Sequence, residues 1–169
     1  MSRGRTVALT LATMAGVLAV DQIAKALVRS NLAVGERRDV VGSVLRLAHV
    51  ENDGVAFGRL GGGGVLVAVV VAVAVLGLLG FLATHLETPL VWLPSGLILG
   101  GALGNVIDRL HSSAVTDFVK LPHWPAFNLA DVAITVGVVL LLVVVERDAR
   151  RKNRADAPGK IADGAAGGG

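Results

Sequence analysis

The sequence contains no cysteine, and only 4% of its residues are aromatic. The absence of cysteine excludes thiol catalysis, disulfide bonds and metal sites with cysteine ligands. The low aromatic content, together with the absence of any known nucleic-acid motif, argues against nucleic-acid binding. Charged residues amount to 17% of the chain, where a soluble domain carries about 25%. The apolar excess lies in long runs, so the expected solvent is a lipid bilayer.

Four apolar stretches stand out along the chain, at residues 6–20, 61–83, 88–107 and 132–145. A helix that spans a membrane needs about 20 residues. The first stretch must therefore continue through Asp21 and Lys25, and the fourth must begin before Asp131, near Ala126. We predict a membrane all-α fold with four transmembrane helices. Residues 1–148 would form one membrane domain, and residues 149–169 would form a basic, low-complexity cytoplasmic tail.

A cleaved secretory signal is the alternative interpretation of the N-terminal segment. "MSRGR" followed by an apolar run fits the pattern of such a signal. Cleavage would remove the helix that needs Asp21 and Lys25, and it would leave an odd number of spans. We therefore expect the first segment to stay as a membrane helix.

Basic residues predict the orientation of the four spans. Arginines and lysines flank both termini, in "MSRGR" and "ERDARRKNR", so both ends are expected in the cytoplasm. Two long loops, at about residues 30–60 and 111–125, would then lie on the outer face. Part of the first loop, "DVVGSVLRLAHVEN", alternates apolar and polar residues and predicts a small periplasmic β-sheet.

Polar residues cluster at the outer ends of three of the predicted helices. Asp21 and Lys25 stand four residues apart in "DQIAK", where the simplest interpretation is an ion pair at a helix end. In "GGALGNVIDRL", two glycines four apart allow close helix packing. One helical face of the same segment carries an amide, a carboxylate and a guanidinium, from Asn105, Asp108 and Arg109.

Two further carboxylates complete the set. Asn128 and Asp131 stand three apart at the start of the fourth span, on one helical face. Asp117 lies in "VTDFVKLP", in the second outer loop, and its apolar neighbours predict a loop that dips into the membrane interface. Asp117 precedes Asp131 by fourteen residues, close enough in the chain for the two carboxylates to face each other.

Five blocks, "DQIAK", "NDGVAFG", "GGALGNVIDRL", "VTDF" and "FNLAD", resemble the signature blocks of the lipoprotein signal peptidases, also called signal peptidase II. They occur in the family's order over residues 21 to 131. The resemblance implies an aspartyl endopeptidase of the bacterial inner membrane. It would remove the signal peptide from diacylglyceryl-modified prolipoproteins by cleaving before the lipidated cysteine.

The resemblance also implies roles for individual residues. The catalytic pair would be Asp117 and Asp131, and the first loop would form the sheet that cradles the lipoprotein. The residues that would bind substrate or support the site are Asn105, Arg109, Asn128, Asp108, Asn52, Gly54, Asp21 and Lys25.

The residues fit this chemistry without any appeal to a family. Amide hydrolysis needs a base for water and an acid for the carbonyl and the leaving amine. Two close carboxylates share one proton and can divide these roles. No cofactor or metal is expected, since the four histidines are scattered, are predicted in loops and lack ligand spacing. The expected partners are lipoprotein precursors and membrane lipid, with no nucleic acid, and a monomer is expected.

Two other classes of protein compete with the peptidase. Acids within a membrane often mark the ion pathway of a transporter, but a transporter places its polar residues near the bilayer midplane. Here the polar residues sit at one end of the spans. A packing scaffold would account for the glycines, but it would not account for paired aspartates.

Overall fold

Helices dominate the part of the chain that the structure, a computed structural model, describes, which is residues 1–42, 44–53 and 63–155. Gly54, the block that follows it and the start of the glycine run at 61–64 lie outside these residues, as does the chain after Ala155. The elements in chain order are α1 (Arg3–Asn31), β1 (Arg37–Val41), β2 (Leu45–Asn52), α2 (Gly63–His85), α3 (Trp92–Ser112), β3 (Val115–Lys120) and α4 (Leu129–Ala155).

The first helix continues through Asp21 and Lys25, as predicted. It has 29 residues and is therefore about 43 Å long at the α-helical rise. Its interior holds no proline, and its polar residues fall at helical spacing, so nothing interrupts the backbone ladder. The helix ends at Leu32, whose backbone is extended.

The last helix begins later than the expected start near Ala126. Phe127 is held in an extended conformation because it forms an isolated antiparallel bridge with Val119. Its amide donates to the carbonyl of Val119 at 3.0 Å, and the helix starts two residues later, at Leu129. At the other end, α4 continues to Ala155, well beyond the apolar run, and α4 therefore carries most of the basic segment.

A three-stranded antiparallel sheet of order β1-β2-β3 lies beside the helix ends. Its first two strands come from the first loop, as predicted. The third strand, which contains Asp117, comes from the segment between α3 and α4, where only a loop was expected. The first four residues of β3 are all buried, so this strand shows no alternation of polar and apolar residues that could have revealed it.

Close packing of α1 against α3 depends on glycines spaced four residues apart. A Cβ on Gly100 would lie 2.8 Å from the carbonyl oxygen of Met14, and one on Gly96 would lie 2.8 Å from that of Thr10. A Cβ on Gly104 would lie 2.7 Å from a carboxylate oxygen of Asp21. The predicted close approach at Gly100 and Gly104 is therefore confirmed.

Replacing Gly100 with alanine is expected to destabilise the protein by about 1–3 kcal/mol, because the added methyl group meets backbone of α1 that cannot move easily. Gly77→Ala in α2 is the matched control, since nothing lies within 4 Å of its Cβ position. Thermal unfolding of both variants in the same detergent checks this. Equal stability of the two variants would contradict the packing argument.

The ends of the helices sort into two groups. At one end, Arg3 of α1 forms a 2.9 Å ion pair with Glu87 in the turn after α2. At the same end, the hydroxyl of Thr88 donates to Asp148 of α4 at 3.5 Å. The sheet and the polar ends of α1, α3 and α4 lie at the other end, so the predicted convergence of these polar residues is confirmed.

Within the described part of the chain, two helices, α1 and α4, are long and apolar enough to cross a membrane by length and composition. Only 11% of the most apolar part of each is buried within the protein. Apolar side chains that face outward in this way suit lipid rather than a soluble core.

The histidines depart from the prediction that all four lie in loops. His49 lies in β2 and is buried, and His85 and His111 lie in the last turns of α2 and α3. Only His123 lies in a turn between elements. His85 and His111 fall in helices because α2 and α3 extend past the ends of the apolar runs, at residues 83 and 107.

Candidate active site

A fully buried lysine stands at the centre of the polar group. The ammonium nitrogen of Lys25 lies 2.8 Å from Asp21 Oδ2 and 2.9 Å from Asp108 Oδ2. It also donates to Asn105 Oδ1 at 2.9 Å. An ammonium group has three N–H donors, and all three have partners here. A buried charge is tolerated only when it is paired in this way.

Asn128 caps the start of α4 in a reciprocal arrangement. Its Oδ1 accepts the backbone N–H of Asp131 at 2.9 Å, and the Asp131 carboxylate accepts the backbone N–H of Asn128 at 3.3 Å. This is a capping box with an aspartate at the third helical position. Because a backbone N–H can only donate, it fixes the amide of Asn128 with its nitrogen pointing toward Asn105 and Asp117.

The orientation of Asn128 determines that of Asn105. The Nδ2 of Asn128 donates to Asn105 Oδ1 at 3.2 Å, and Lys25 donates to the same oxygen. Both partners are donors, so this atom must be the amide oxygen. The Nδ2 of Asn105 therefore faces Asp131 and donates to its Oδ1 at 2.8 Å.

Asp117 lies at the other end of the same hydrogen-bond chain. Asn128 Nδ2 donates to its Oδ1 at 2.7 Å, and Asn52 Nδ2 donates to its Oδ2 at 2.9 Å. Asn128 thus donates to both candidate carboxylates, to Asp117 through its side-chain Nδ2 and to Asp131 through its backbone N–H. The side chain of Asn128 is completely buried, which leaves it no freedom to reorient.

Burial raises the pKa of the Asp117 carboxyl from 3.8 to about 6. The negative charge of nearby Asp131 also raises this pKa, while hydrogen bonds from Asn52 and Asn128 and the positive charge of Lys25 act to lower it. Only 2% of Asp117 is exposed, so the desolvation of its charged form prevails. The Asp117 carboxyl therefore retains its proton to a higher pH than an exposed aspartate does.

A cavity of about 260 Å³ opens beside Asp131. Its other lining residues are mostly apolar: Trp124, Phe127, Val132, Thr135 and Val136. The side chain of Trp124 is 61% exposed at its rim. The cavity thus places a carboxylate next to a surface that suits an apolar ligand.

The carboxylates of the site are committed to ammonium and amide partners. Among the described residues, no group of three or more histidine, aspartate or glutamate side chains has an arrangement that could hold a metal ion. The chemistry available to the described residues is that of paired carboxylates and their amide donors.

Comparison with known proteins identifies the family. The family model for signal peptidase II matches residues 13–146, which include both carboxylates, all of α3 and most of α1 and α4. The chain belongs to the signal peptidase II family.

Relatives of known name support this assignment along most of the chain. A lipoprotein signal peptidase of Moorella thermoacetica is 46% identical over 126 residues, which cover 74% of this chain and 84% of the relative. One from Syntrophomonas wolfei is 40% identical over 138 residues, which cover 82% of this chain and 93% of the relative.

Two solved structures, both described as bacterial membrane enzymes, share the fold. One superposes with a TM-score of 0.72 at 25% identity and covers 88% of this chain and 92% of its own. The other superposes with a TM-score of 0.69 at 24% identity and covers 84% of this chain and 92% of its own. The present chain is thus a membrane peptidase of the signal peptidase II family.

Most of the predicted site residues meet in the structure. The side chains that the structure brings into one hydrogen-bonded group are those of Asp21, Lys25, Asn52, Asn105, Asp108, Asp117, Asn128 and Asp131. Arg109 stands apart, since its guanidinium donates to the backbone oxygen of Asn105 at 3.2 Å rather than to a carboxylate. Gly54 lies outside the described residues.

Sequence reasoning missed two polar residues of α1. The Gln22 amide donates to Gly104 O and to Asp108 Oδ1, both at 3.2 Å. Arg29 lies 3.6 Å from Asp108 Oδ1 and donates to the hydroxyl of Thr116 at 3.0 Å. The signal was present: Gln22 stands three residues before Lys25 and Arg29 four residues after it, so both share a helical face with Lys25.

Proposed function

We propose that this chain removes the signal peptide from diacylglyceryl-modified prolipoproteins by cleaving before the lipidated cysteine, with Asp117 and Asp131 as its catalytic pair. The observation that carries the proposal is that Asn128 donates to the Asp117 carboxylate from its side chain and to the Asp131 carboxylate from its backbone N–H, in a family whose members are aspartic peptidases. Two carboxylates held by one residue in this way can share a water molecule and one proton.

In the proposed mechanism the two aspartates act on one water molecule. The oxygen of the water attacks the scissile carbonyl carbon, and Asp131 takes a proton from the water at the same time. Asp117 gives its proton to the carbonyl oxygen, and a neutral tetrahedral diol forms. A carboxyl group then protonates the amide nitrogen, the carbon–nitrogen bond breaks, and the remaining hydroxyl proton returns to the pair.

Different surroundings assign the two roles. Asp131 lies in the first turn of α4, where the positive end of the helix dipole favours a negative charge. It also borders the cavity, so water can reach it. Asp117 is buried and its raised pKa favours the protonated form. Asp131 is therefore assigned as the base and Asp117 as the acid.

The supporting residues hold this asymmetry in place. Lys25 fixes Asn105, and Asn105 donates to Asp131. Asp21 accepts the backbone N–H of Ala130 at 2.9 Å and thereby ties the start of α4 to α1. These contacts preorganise the carboxylates before substrate binds, so little reorganisation is needed during the reaction.

We place the protein in the bacterial inner membrane, with four transmembrane helices, both termini in the cytoplasm and the active site at the outer face. Basic residues near both termini support this orientation. The sheet and the carboxylates would then lie at the periplasmic rim of the bilayer. A substrate whose lipid anchor already lies in the outer leaflet would reach the apolar cavity beside Asp131 by lateral diffusion.

Arg109 is proposed to hold the backbone of the substrate, since its guanidinium, at the end of α3, uses only one of its N–H donors on the described residues. Arg109→Ala is expected to lower kcat/KM by roughly 10–100-fold, as loss of a charged hydrogen bond would. The melting temperature should change little because the lost contact is one partly exposed bond within a helix. Parallel measurement of cleavage and thermal unfolding tests this; equal losses in both would mean that Arg109 serves only the fold.

The proposed function is tested by a gel-shift cleavage assay on a purified precursor with the purified chain in detergent. A precursor that carries the diacylglyceryl group on its cysteine should shift to the mature size. The same precursor with serine in place of that cysteine cannot be lipidated and should remain uncut. Cleavage of both precursors at similar rates would contradict the proposed substrate class.

A further inference from the structure

A basic cavity lies at the edge of the sheet, apart from the candidate active site. Its volume is about 280 Å³, and its lining residues are Arg46, Lys120, Leu121, Pro122 and His123. Every charged or titratable residue that lines it is a nitrogen base, and no acid lines it. Such a lining suits an anion that can accept several hydrogen bonds.

Two positive charges face each other across the strands at this cavity. Arg46 of β2 and Lys120 of β3 are direct register partners, an arrangement that is unfavourable for like charges. Asp39 of β1 offsets part of it, since its Oδ1 lies 2.8 Å from Arg46 Nε. This row of three residues still contains two bases and one acid, so a bound anion would complete its charge balance.

The turn that follows β3, beside the cavity, contains a residue in an energetically unfavourable backbone conformation. His123 has a φ of 58°, in the left-handed region that non-glycine residues seldom adopt. The ammonium group of Lys120 donates to the carbonyl of Trp124 at 2.5 Å and fixes the turn against the end of β3. Backbone strain of this kind is often found where a segment clamps a ligand.

The neighbouring hairpin tip exposes a group of valines. Val40 and Val41 end β1, Val44 lies in the turn before β2, and each of the three is 60% or 61% exposed. Asp39 and Arg46 are register partners, and the next pair toward the tip is Val41 with Leu45. The valines therefore lie next to the basic cavity along the sheet. Apolar tips beside basic residues are typical of segments that enter a lipid interface.

We propose that the hairpin tip and the basic cavity together bind an anionic phospholipid of the outer leaflet. The phosphate would lie between Arg46 and Lys120, where a guanidinium can offer two parallel N–H donors. The valines would enter the upper part of the acyl region. This contact would hold the sheet at a constant depth in the membrane. Asp117, which lies three residues before Lys120 in β3, would be held at a constant depth with it.

Native mass spectrometry of the full chain in detergent tests the proposal. With phosphatidylglycerol added, the wild-type chain should retain bound lipid, and phosphatidylcholine should be retained less. Arg46→Gln combined with Lys120→Gln should lower the bound fraction of phosphatidylglycerol by roughly tenfold or more. The matched control is Arg150→Gln combined with Arg151→Gln. It removes two positive charges near the C-terminal end of α4, away from the sheet, and should leave binding unchanged.

Three results would overturn the proposal. One is equal retention of phosphatidylglycerol by the wild type and the Arg46→Gln, Lys120→Gln variant. Another is an equal loss in the control variant. The third is displacement of the lipid by inorganic phosphate at the same concentration, which would make the cavity a site for free phosphate. A variant with Arg46→Lys and Lys120→Arg keeps both charges and should retain the lipid, so a folding defect can be told from a binding defect.

Discussion

Replacement of either Asp117 or Asp131 by asparagine is expected to lower the cleavage rate at least about 1,000-fold, because one proton donor or acceptor is lost. The amide has the size of the carboxyl group but can neither take a proton from water nor give one to the carbonyl oxygen. The single-turnover rate of a lipidated precursor in the gel-shift assay measures the effect. Both variants should still fold, since the buried ion pairs of Lys25 remain intact.

The same assay carries its own control. Asp148→Asn removes a carboxylate from the other end of α4, where Asp148 pairs with Lys152 at 2.8 Å. This variant should cleave at the wild-type rate. Retained cleavage by Asp117→Asn or Asp131→Asn would remove that residue from the catalytic pair and would leave a packing scaffold as the better account of the polar network.

Replacement of Lys25 by methionine is expected to cause the largest loss of stability, about 3–5 kcal/mol. The substitution leaves Asp21 and Asp108 buried without their shared cation, and Asn105 Oδ1 loses a donor. It also frees the amide of Asn105, so any protein that folds should cleave slowly. Chemical unfolding in detergent measures the stability.

Arg29→Met is the matched comparison for that substitution. Arg29 also approaches Asp108, at 3.6 Å, but its side chain is 40% exposed, and exposed ion pairs contribute about 1 kcal/mol or less. Adding Asp108→Asn to Lys25→Met should recover part of the lost stability because one buried charge is removed. If Lys25→Met unfolds like the wild type, the ammonium is not what holds these helix ends together.

The parts of the site that could be predicted from the sequence are those formed by residues close in the chain. Asp21 with Lys25, and Asn128 with Asp131, are separated by one helical turn, and helical spacing alone brings each pair together. The glycine spacing in α3 likewise predicted close contact with another helix. The bulk composition was enough to predict helices whose apolar side chains face outward.

The remaining contacts join residues that are distant in the chain, and no local pattern encodes them. Asp117 pairs in register with Val50 of β2, and Asp21 accepts an N–H from Ala130, 109 residues away. The strand that carries Asp117 is buried on both faces, so it lacked the alternation that predicted the first two strands. Sequence spacing therefore predicted the pairs within one helix and the family resemblance named the catalytic candidates, but neither predicted the third strand, which carries Asp117.

The central claim is that Asp117 and Asp131 share one proton, and the pH dependence of kcat/KM tests it most directly. Because the folded-state pKa of Asp117 is raised to about 6, its proton is present below that pH and is lost as the pH rises through it. The account therefore predicts that kcat/KM falls as the pH rises through about 6, because the acid of the pair has lost its proton. A rate that rises to a plateau and stays level through pH 8 would contradict it.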